Sequence, residues 1–185
     1  MEYEEYRINA VSEESWIGAG YIDRQTQADL FQFFTFTEYT LSVILEGSGT
    51  LIDDKANVWP ITKHSVFQCF PGQTLSLYAD LSRPWHEFRI TVSAAVLESL
   101  KTVSSFHQSK PVFQIELFPH LILWMNDIIQ SLATGQPALL MEEFFDLQRF
   151  ILNIHMQEEN DQEAFALSLI RRASILVLKE TDRAV

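Results

Sequence analysis

The 185-residue sequence predicts a mainly β fold of the α+β class, with a small β-barrel or sandwich followed by helices. Five of the six glycines lie in the first 72 residues, where short apolar runs alternate with turn residues. After Ser93 the hydrophobic period changes from two to 3.6 residues, as in amphipathic helices. The chain is therefore expected to have a β half and then a helical half.

Short strand signals follow one another through the β half. The run Leu41–Glu46, a bend at Gly47-Ser48-Gly49 and the run Thr50–Ile52 lead to a hairpin turn at residues 53–56. Other strands are predicted at Trp16–Tyr21, Leu30–Phe36, Val58–Pro60, Val66–Phe70, Leu75–Ala79 and Trp85–Val92. The clustered Phe31, Phe33, Phe34 and Phe36 are expected in the core. This spacing favours a sandwich or barrel.

Three helices are predicted in the second half. The first is Ala94–Val103, followed by a loop around Ser104–Gln114. The second carries Phe118, Ile122, Met125, Ile129 and Leu132 on one face and ends at Gly135. The third, Ala138–Gln157, has a main apolar stripe at Leu140, Phe144, Leu147, Ile151 and Ile154, and a second at Met141, Phe145, Gln148 and Leu152. These stripes are wider than one contact buries, so the third helix is expected to form a homodimer.

Composition excludes several classes of protein. A formal charge of -12 disfavours nucleic-acid binding by this chain, because that affinity comes largely from Lys and Arg. Mean hydropathy is +0.01, no apolar run is long enough to cross a membrane, and the acidic start MEYEEYRINA is no signal peptide. The single Cys69 excludes an internal disulfide. A cytoplasmic protein is therefore expected.

Three sequence blocks carry a family resemblance. They are Tyr39-Thr40-Leu41-Ser42-Val43-Ile44-Leu45-Glu46-Gly47-Ser48-Gly49, then Phe70-Pro71-Gly72, then Arg83-Pro84-Trp85 followed by a strand. In this order and spacing they resemble the sensor domain of AraC-family transcription regulators, over Trp16–Gln157. The segment Ile170–Ala173 resembles the linker and first helix that precede the family's two helix-turn-helix motifs.

The resemblance implies a cupin-like double-stranded β-helix barrel whose cavity holds a small-molecule effector, often a sugar, and a helical region that forms a homodimer. It divides the chain into an N-terminal arm (1–15), the barrel (16–92), the helical dimerisation region (93–157), and a linker with the truncated start of the DNA-binding domain (158–185). DNA would be contacted only through that absent domain.

The strand Trp85–Val92 supplies the candidate effector-binding residues. Its alternation places Trp85, Glu87 and Arg89 on one face. The resemblance suggests that this face lines the cavity, together with Tyr39 and Leu77. Glu87 and Arg89 would then bind hydroxyls or an anion, with Trp85 as a stacking wall. The residues alone leave the alternative open, in which the face of Phe88, Ile90 and Val92 is the core and Glu87 and Arg89 form a structural ion pair.

A cupin-fold enzyme, such as an isomerase or a dioxygenase, is the competing interpretation, and a stand-alone small-molecule-binding cupin is a third. A cupin metal site needs about three histidines and a carboxylate, whereas the β half holds only His64 and His86. No nucleophile–base arrangement and no phosphate-binding glycine loop is present in the sequence. We therefore expect no catalytic residue, no metal ion and no cofactor.

Overall fold

The computed structural model describes residues 4–12, 15–24, 29–80, 82–102, 111–134 and 149–156. These residues form ten strands and three helical segments. The strands are β1 (Glu4–Ser12), β2 (Ser15–Arg24), β3 (Asp29–Thr35), β4 (Tyr39–Glu46), β5 (Gly49–Asp53), β6 (Val58–Ile61), β7 (Ser65–Cys69), β8 (Thr74–Ala79), β9 (Trp85–Val92) and β10 (Val112–Gln114). The helices are α1 (Ala94–Lys101), α2 (Pro119–Thr134) and α3 (residues 149–156). None of them is long and apolar enough to cross a membrane.

The strands form two antiparallel sheets. One has six strands in the order β1-β2-β9-β4-β7-β10, and the other has four in the order β3-β8-β5-β6. The sheets face each other across an apolar interior to which both contribute: Ile44, Phe67, Cys69 and Trp85 from the first, and Leu51, Ile61, Leu75 and Leu77 from the second. This arrangement confirms the mainly β, cupin-like fold with helices.

Alternation along β4 and β9 separates the two faces of the six-stranded sheet. On β9, Phe88, Ile90 and Val92 belong to the core beneath the helices, whereas Trp85 belongs to the interior between the sheets. Successive side chains of a strand point to opposite faces, so Glu87 and Arg89 share the inner face with Trp85. Both faces of this sheet are therefore covered.

The outer core lies between the six-stranded sheet and the helices. Each helix contributes one apolar stripe: Val96, Leu97 and Leu100 from α1, Leu121, Met125 and Ile128 from α2, and Phe150, Ile151 and Ile154 from α3. The Phe88 ring contacts the Phe150 ring with centroids 5.7 Å apart. The helices therefore lie on the sheet face opposite the barrel interior.

Two glycines allow Trp85 to pack at one end of the barrel. A Cβ on Gly49 would lie 2.3 Å from the carbonyl oxygen of Tyr78, and a Cβ on Gly47 would lie 3.1 Å from the Trp85 ring. Gly47 also has φ of 121°, which disfavours residues with a side chain. The predicted bend thus brings backbone against the indole, which is 2% exposed.

The structure corrects two predictions about secondary structure and core. The expected loop before α2 contains β10, which pairs with β7 through Phe113 and Val66, and an edge strand of three residues leaves little local signal. Phe33 and Phe34 are 77% and 51% exposed rather than buried. The β3–β8 register shifts between Phe31 and Phe34, and Phe33 has φ of 46°, so strict alternation fails there.

The ends of the chain were expected to be an arm and a linker. The described part of the N-terminal segment, Glu4–Ser12, is β1, which pairs with β2 along the edge of the larger sheet. The predicted linker and DNA-binding start at 158–185 lie outside the described residues, as do residues 135–148 of the predicted second and third helices.

Candidate functional site

A buried ion pair lies on the inner face of β9. One Nη group of Arg89 donates to Oε1 of Glu87, whose side chain has no exposed surface. The other carboxylate oxygen accepts a hydrogen bond of 3.1 Å from Nε1 of Trp85. The indole N–H of Trp85 therefore already donates its hydrogen bond to Glu87. Trp85 therefore acts as a support for the carboxylate, in a packed position rather than as an open stacking wall.

Arg89 is the part of this group that remains accessible. Its Nε donates to Oγ of Ser42 on the neighbouring strand at 3.3 Å, and 21% of its side-chain surface is exposed. The residues paired with Arg89 and Thr91 on β2 are Gly20 and Gly18, which have no side chains. The inner surface of β2 therefore carries no side chain at these two positions beside the guanidinium group, and both glycines are buried.

Polar and apolar residues divide the inner surface of the larger sheet. Thr40 and Thr91 continue the polar side beyond Arg89, and their hydroxyl oxygens lie 3.4 Å apart. Ile44 and Phe67 belong to the apolar side, together with Leu77 of the smaller sheet, which is fully buried. The polar half can bind an oxygen-bearing group, and the apolar half can contact a hydrocarbon body.

Cys69 lies in this interior, but its surroundings do not favour the nucleophilic thiolate. The thiol is fully buried, and burial raises its pKa well above the ordinary value. The charge of Arg89 lowers that pKa and the charge of Glu87 raises it, both less than burial does. The thiolate is the reactive form, so Cys69 is a structural residue here.

Tyr39 does not line the interior, which corrects its assignment as an effector-binding residue. It has the parity of Leu41 and Val43 and packs in the outer core. Its hydroxyl donates to Oε1 of Gln68 at 3.1 Å and lies 3.3 Å from Nε2 of His155 on α3. Burial, followed by the nearby Cys69 charge, raises the pKa of Tyr39 well above its ordinary value.

Histidines do not converge on the barrel interior in the part of the chain that the structure describes. His86 has the outer parity of β9, and His64 occupies the turn before β7 with φ of 68°. Among the described residues, no group of three or more His, Cys, Asp or Glu side chains is arranged to hold a metal ion.

Only part of the predicted dimerisation surface is described. Ile151 is fully buried in the outer core of its own chain, so it cannot contact a second copy, while Leu152 is partly buried against the same core. Met156, one turn beyond Leu152, is 48% exposed. The remaining expected contacts, Leu140, Met141, Phe144, Phe145 and Gln148, lie outside the described residues.

A polar cleft of about 360 Å³ lies at the turn end of the barrel, between the β5–β6 and β7–β8 turns. Its most buried carboxylate, Asp53, already accepts hydrogen bonds from the backbone of Lys55 and Asn57 and from the Asn57 side-chain amide. These bonds close the hairpin turn, so Asp53 serves the turn itself.

Comparison with known proteins gives structural matches only. No protein-family model and no curated protein matches the sequence. Apo ToxT K231A from Vibrio cholerae matches with a TM-score of 0.50 and 16% identity, over 77% of this chain and 55% of that chain. Wild-type ToxT with unsaturated fatty acid bound matches with a TM-score of 0.50 and 16% identity, over 78% and 56%. A cupin domain of Schizosaccharomyces pombe Cnp3 has a TM-score of 0.41 and 14% identity, over 57% and 77%.

At these identities the likeness shows the fold alone. The chain has the cupin-like fold of the N-terminal domain of ToxT, which is an AraC-family regulator. It spans about half the length of ToxT.

Sequence reasoning missed three residues of the site. Ser42 was seen only as part of the first sequence block, although its inner parity with Thr40 was readable from the strand. Gly18 and Gly20 lie within the strand predicted at Trp16–Tyr21, now β2, but the absence of their side chains was not interpreted as part of a site. Two glycines at a spacing of two in a strand indicate a bare patch on one face, which is the signal that could have identified them.

Proposed function

We propose that this chain is the effector-binding and dimerisation domain of an AraC-type transcription regulator. A small molecule binds between the two sheets and controls transcription through a helix-turn-helix domain outside this chain. One observation carries the proposal: Arg89 is held by Glu87 and Ser42 and partly exposed, beside a strand surface that Gly18 and Gly20 leave bare. A preorganised guanidinium in a mostly apolar interior is a typical anchor for a small molecule.

The hydrogen-bond inventory of the site supports an effector that carries a hydrogen-bond acceptor. A guanidinium has five N–H donors, and Arg89 uses two of its nitrogens, Nε and Nη2, in bonds to described residues. Both oxygens of Glu87 already accept a hydrogen bond. The site therefore offers donors, and the effector must bring an acceptor such as a sugar hydroxyl or a carboxylate. A sugar is the common effector in the resembled family, while a fatty acid would fill the apolar half.

Catalysis by a cupin-type metal centre is the competing function. The inner positions near Arg89 and Glu87 on β4, β7 and β9 are occupied by Ser42, Ile44, Phe67, Cys69 and Trp85, none of which is an imidazole. This residue set is suited to binding rather than to metal-assisted chemistry. It supports a sensor without catalytic residues over an isomerase or a dioxygenase.

The test is a binding panel of arabinose, glucose, glucuronate and palmitoleate, measured by thermal shift and then by calorimetry. A ligand present at a hundred times its Kd should stabilise the native state by about 2.7 kcal/mol. Arg89→Ala should abolish the binding of any ligand that is detected in the panel. Arg83→Ala, which removes an exposed arginine from the loop before β9, should leave it unchanged. Binding that survives Arg89→Ala in a folded protein would exclude this site.

A further inference from the structure

The charges of the barrel interior balance within the described residues. Arg89 carries the positive charge, and Glu87, which has no exposed surface, carries the negative charge. Nη2 of Arg89 donates to Oε1 of Glu87, and Cys69 on β7 stays protonated because burial raises the pKa of its thiol. The guanidinium group is therefore presented to the interior as half of a neutral pair rather than as a free cation.

The strand register shows what lies beside Arg89 on the inner face of the larger sheet. Gly20 of β2 and Ser42 of β4 are its partners on either side, and Phe67 of β7 is the partner of Ser42. All three partners are uncharged. Arg89 is therefore the single cation in this row, and Glu87 is the charged side chain that accompanies it.

A carboxylate ligand would disturb this balance. It would bring a second negative charge to a guanidinium group that Glu87 already neutralises, in an interior that Ile44 and Leu77 make apolar. Moving a charge from water into such surroundings is unfavourable unless an unpaired counter-charge is present there. The formal charge of -12 adds repulsion at longer range. The interior therefore disfavours an anionic effector.

The hydrogen-bond donors of Arg89 favour an acceptor that brings no donor of its own. A hydroxyl group carries a hydrogen atom that also needs a partner, whereas a carbonyl oxygen has acceptor lone pairs only. The Glu87 carboxylate could accept from a hydroxyl group, but it has no exposed surface, and Oγ of Ser42 already accepts from Nε of Arg89. A carbonyl group therefore matches this site better than a hydroxyl group.

We infer that the effector is an uncharged carbonyl compound with a hydrocarbon body. The inference rests on the proposed function and names the ligand class of the Arg89 site. The carbonyl oxygen accepts a hydrogen bond from the guanidinium group, and the hydrocarbon body contacts the apolar interior to which Phe67 and Leu77 belong. Glu87 determines the charge specificity of the site, because its carboxylate cancels the charge that would otherwise attract an anion.

Three ligands that share an eight-carbon body test this inference. 2-Octanone has a carbonyl group, 2-octanol has a hydroxyl group, and octanoate has a carboxylate. Each is titrated by calorimetry into the 185-residue chain at pH 7, where octanoate is ionised. 2-Octanone should bind at least tenfold more tightly than octanoate, and also more tightly than 2-octanol. Arg89→Ala should abolish the binding of 2-octanone.

Glu87→Gln tests the cause of this preference. The amide has nearly the shape of the carboxylate but leaves the Arg89 charge unbalanced, so octanoate should bind this variant more tightly than 2-octanone does. Glu98→Gln, which removes an exposed carboxylate from α1, should keep the wild-type order. Circular dichroism shows whether Glu87→Gln is folded, and the comparison of ligands on the wild-type chain does not need that variant.

Several results would overturn the inference. They are the absence of 2-octanone binding, binding of octanoate or 2-octanol as tight as that of the ketone, an unchanged order of ligands in folded Glu87→Gln, and the same reversal in Glu98→Gln. If octanoate binds more tightly and Arg89→Ala abolishes its binding, the effector site stands and the ligand class is wrong. If ligand binding survives Arg89→Ala, the effector site itself is wrong.

Discussion

Arg89 and Glu87 lie two residues apart on β9, and their ion pair buries the carboxylate completely while the guanidinium stays partly exposed. A carboxylate without contact with water is stable only when a cation and hydrogen-bond donors surround it. Glu87 has Arg89 and Trp85 in these roles. The pair thus holds the guanidinium in place on the inner face, and several predictions depend on it.

The first prediction concerns coupling within this pair. Arg89→Met leaves a buried charge without its cation, which should lower the free energy of unfolding by about 3–5 kcal/mol, nearer the lower value because Arg89 is partly solvated. Combining it with Glu87→Gln should recover part of that loss. Urea unfolding of both single variants and the double variant at pH 7 measures the coupling, and strictly additive effects would contradict it.

The bare surface of β2 is tested by Gly20→Val. Valine suits a strand, so the fold should be retained, but its side chain fills the space beside Arg89. We expect effector affinity to fall at least tenfold in calorimetry. Ser15→Val, at the start of the same strand, is the matched control and should keep affinity. Unchanged effector affinity of Gly20→Val would show that the effector does not bind beside Arg89.

The Tyr39 hydroxyl should contribute to stability below about pH 10. Its pKa is raised in the folded state, so the unfolded state ionises first and stability declines as pH rises from about 10 towards the folded pKa. Tyr39→Phe should cost about 1–2 kcal/mol at pH 7, because Gln68 and His155 lose a partner. It should also flatten the decline above pH 10. Urea unfolding from pH 7 to 11 measures both effects, and identical slopes would refute the assignment.

Cys69 should resist thiol reagents in the native protein. The thiol has no exposed surface and burial raises its pKa, so both access and thiolate formation are suppressed. With a disulfide reagent at pH 8, modification should proceed only through unfolding, whereas the denatured chain should react at once. Rapid modification of the native state would show that the barrel interior opens readily.

We propose that the homodimer forms through the third predicted helix, and the described end of that helix, α3, allows a test. Met156 is exposed and Leu152 partly so, on adjacent turns of α3. Glutamate at either position should shift a dimer towards a folded monomer in sedimentation, because a charge would be buried at the interface. Asn153→Glu, at an exposed polar position of the same helix, should not. A wild-type chain that sediments as a monomer at high concentration ends this proposal.

On β4 and β9, the two strands that carry the site, sequence patterns predicted which residues share a face but not which residues meet across the strands. The alternation of β9 divided its residues into two sets, and the resemblance suggested the inner one. Tyr39 was grouped with that set through its sequence block, although its parity matches Leu41, which is buried beneath the helices. Parity within a strand is readable locally, but Ser42 and Arg89 meet only because β4 and β9 are neighbours in a defined register.

The sequence by itself determined the strands from β2 to β9, the change from a β half to a helical half, the hairpin turn at residues 53–56 and the two faces of β9. These features depend on side-chain periodicity and turn chemistry within short segments. Tertiary structure decided which face is enclosed by the second sheet, the pairing of Gly20 with Arg89, the pairing of β10 with β7, and the exposure of Phe33. These features depend on contacts between residues far apart in the chain. Local patterns do not encode such contacts, because burial on either face of the larger sheet favours apolar residues equally.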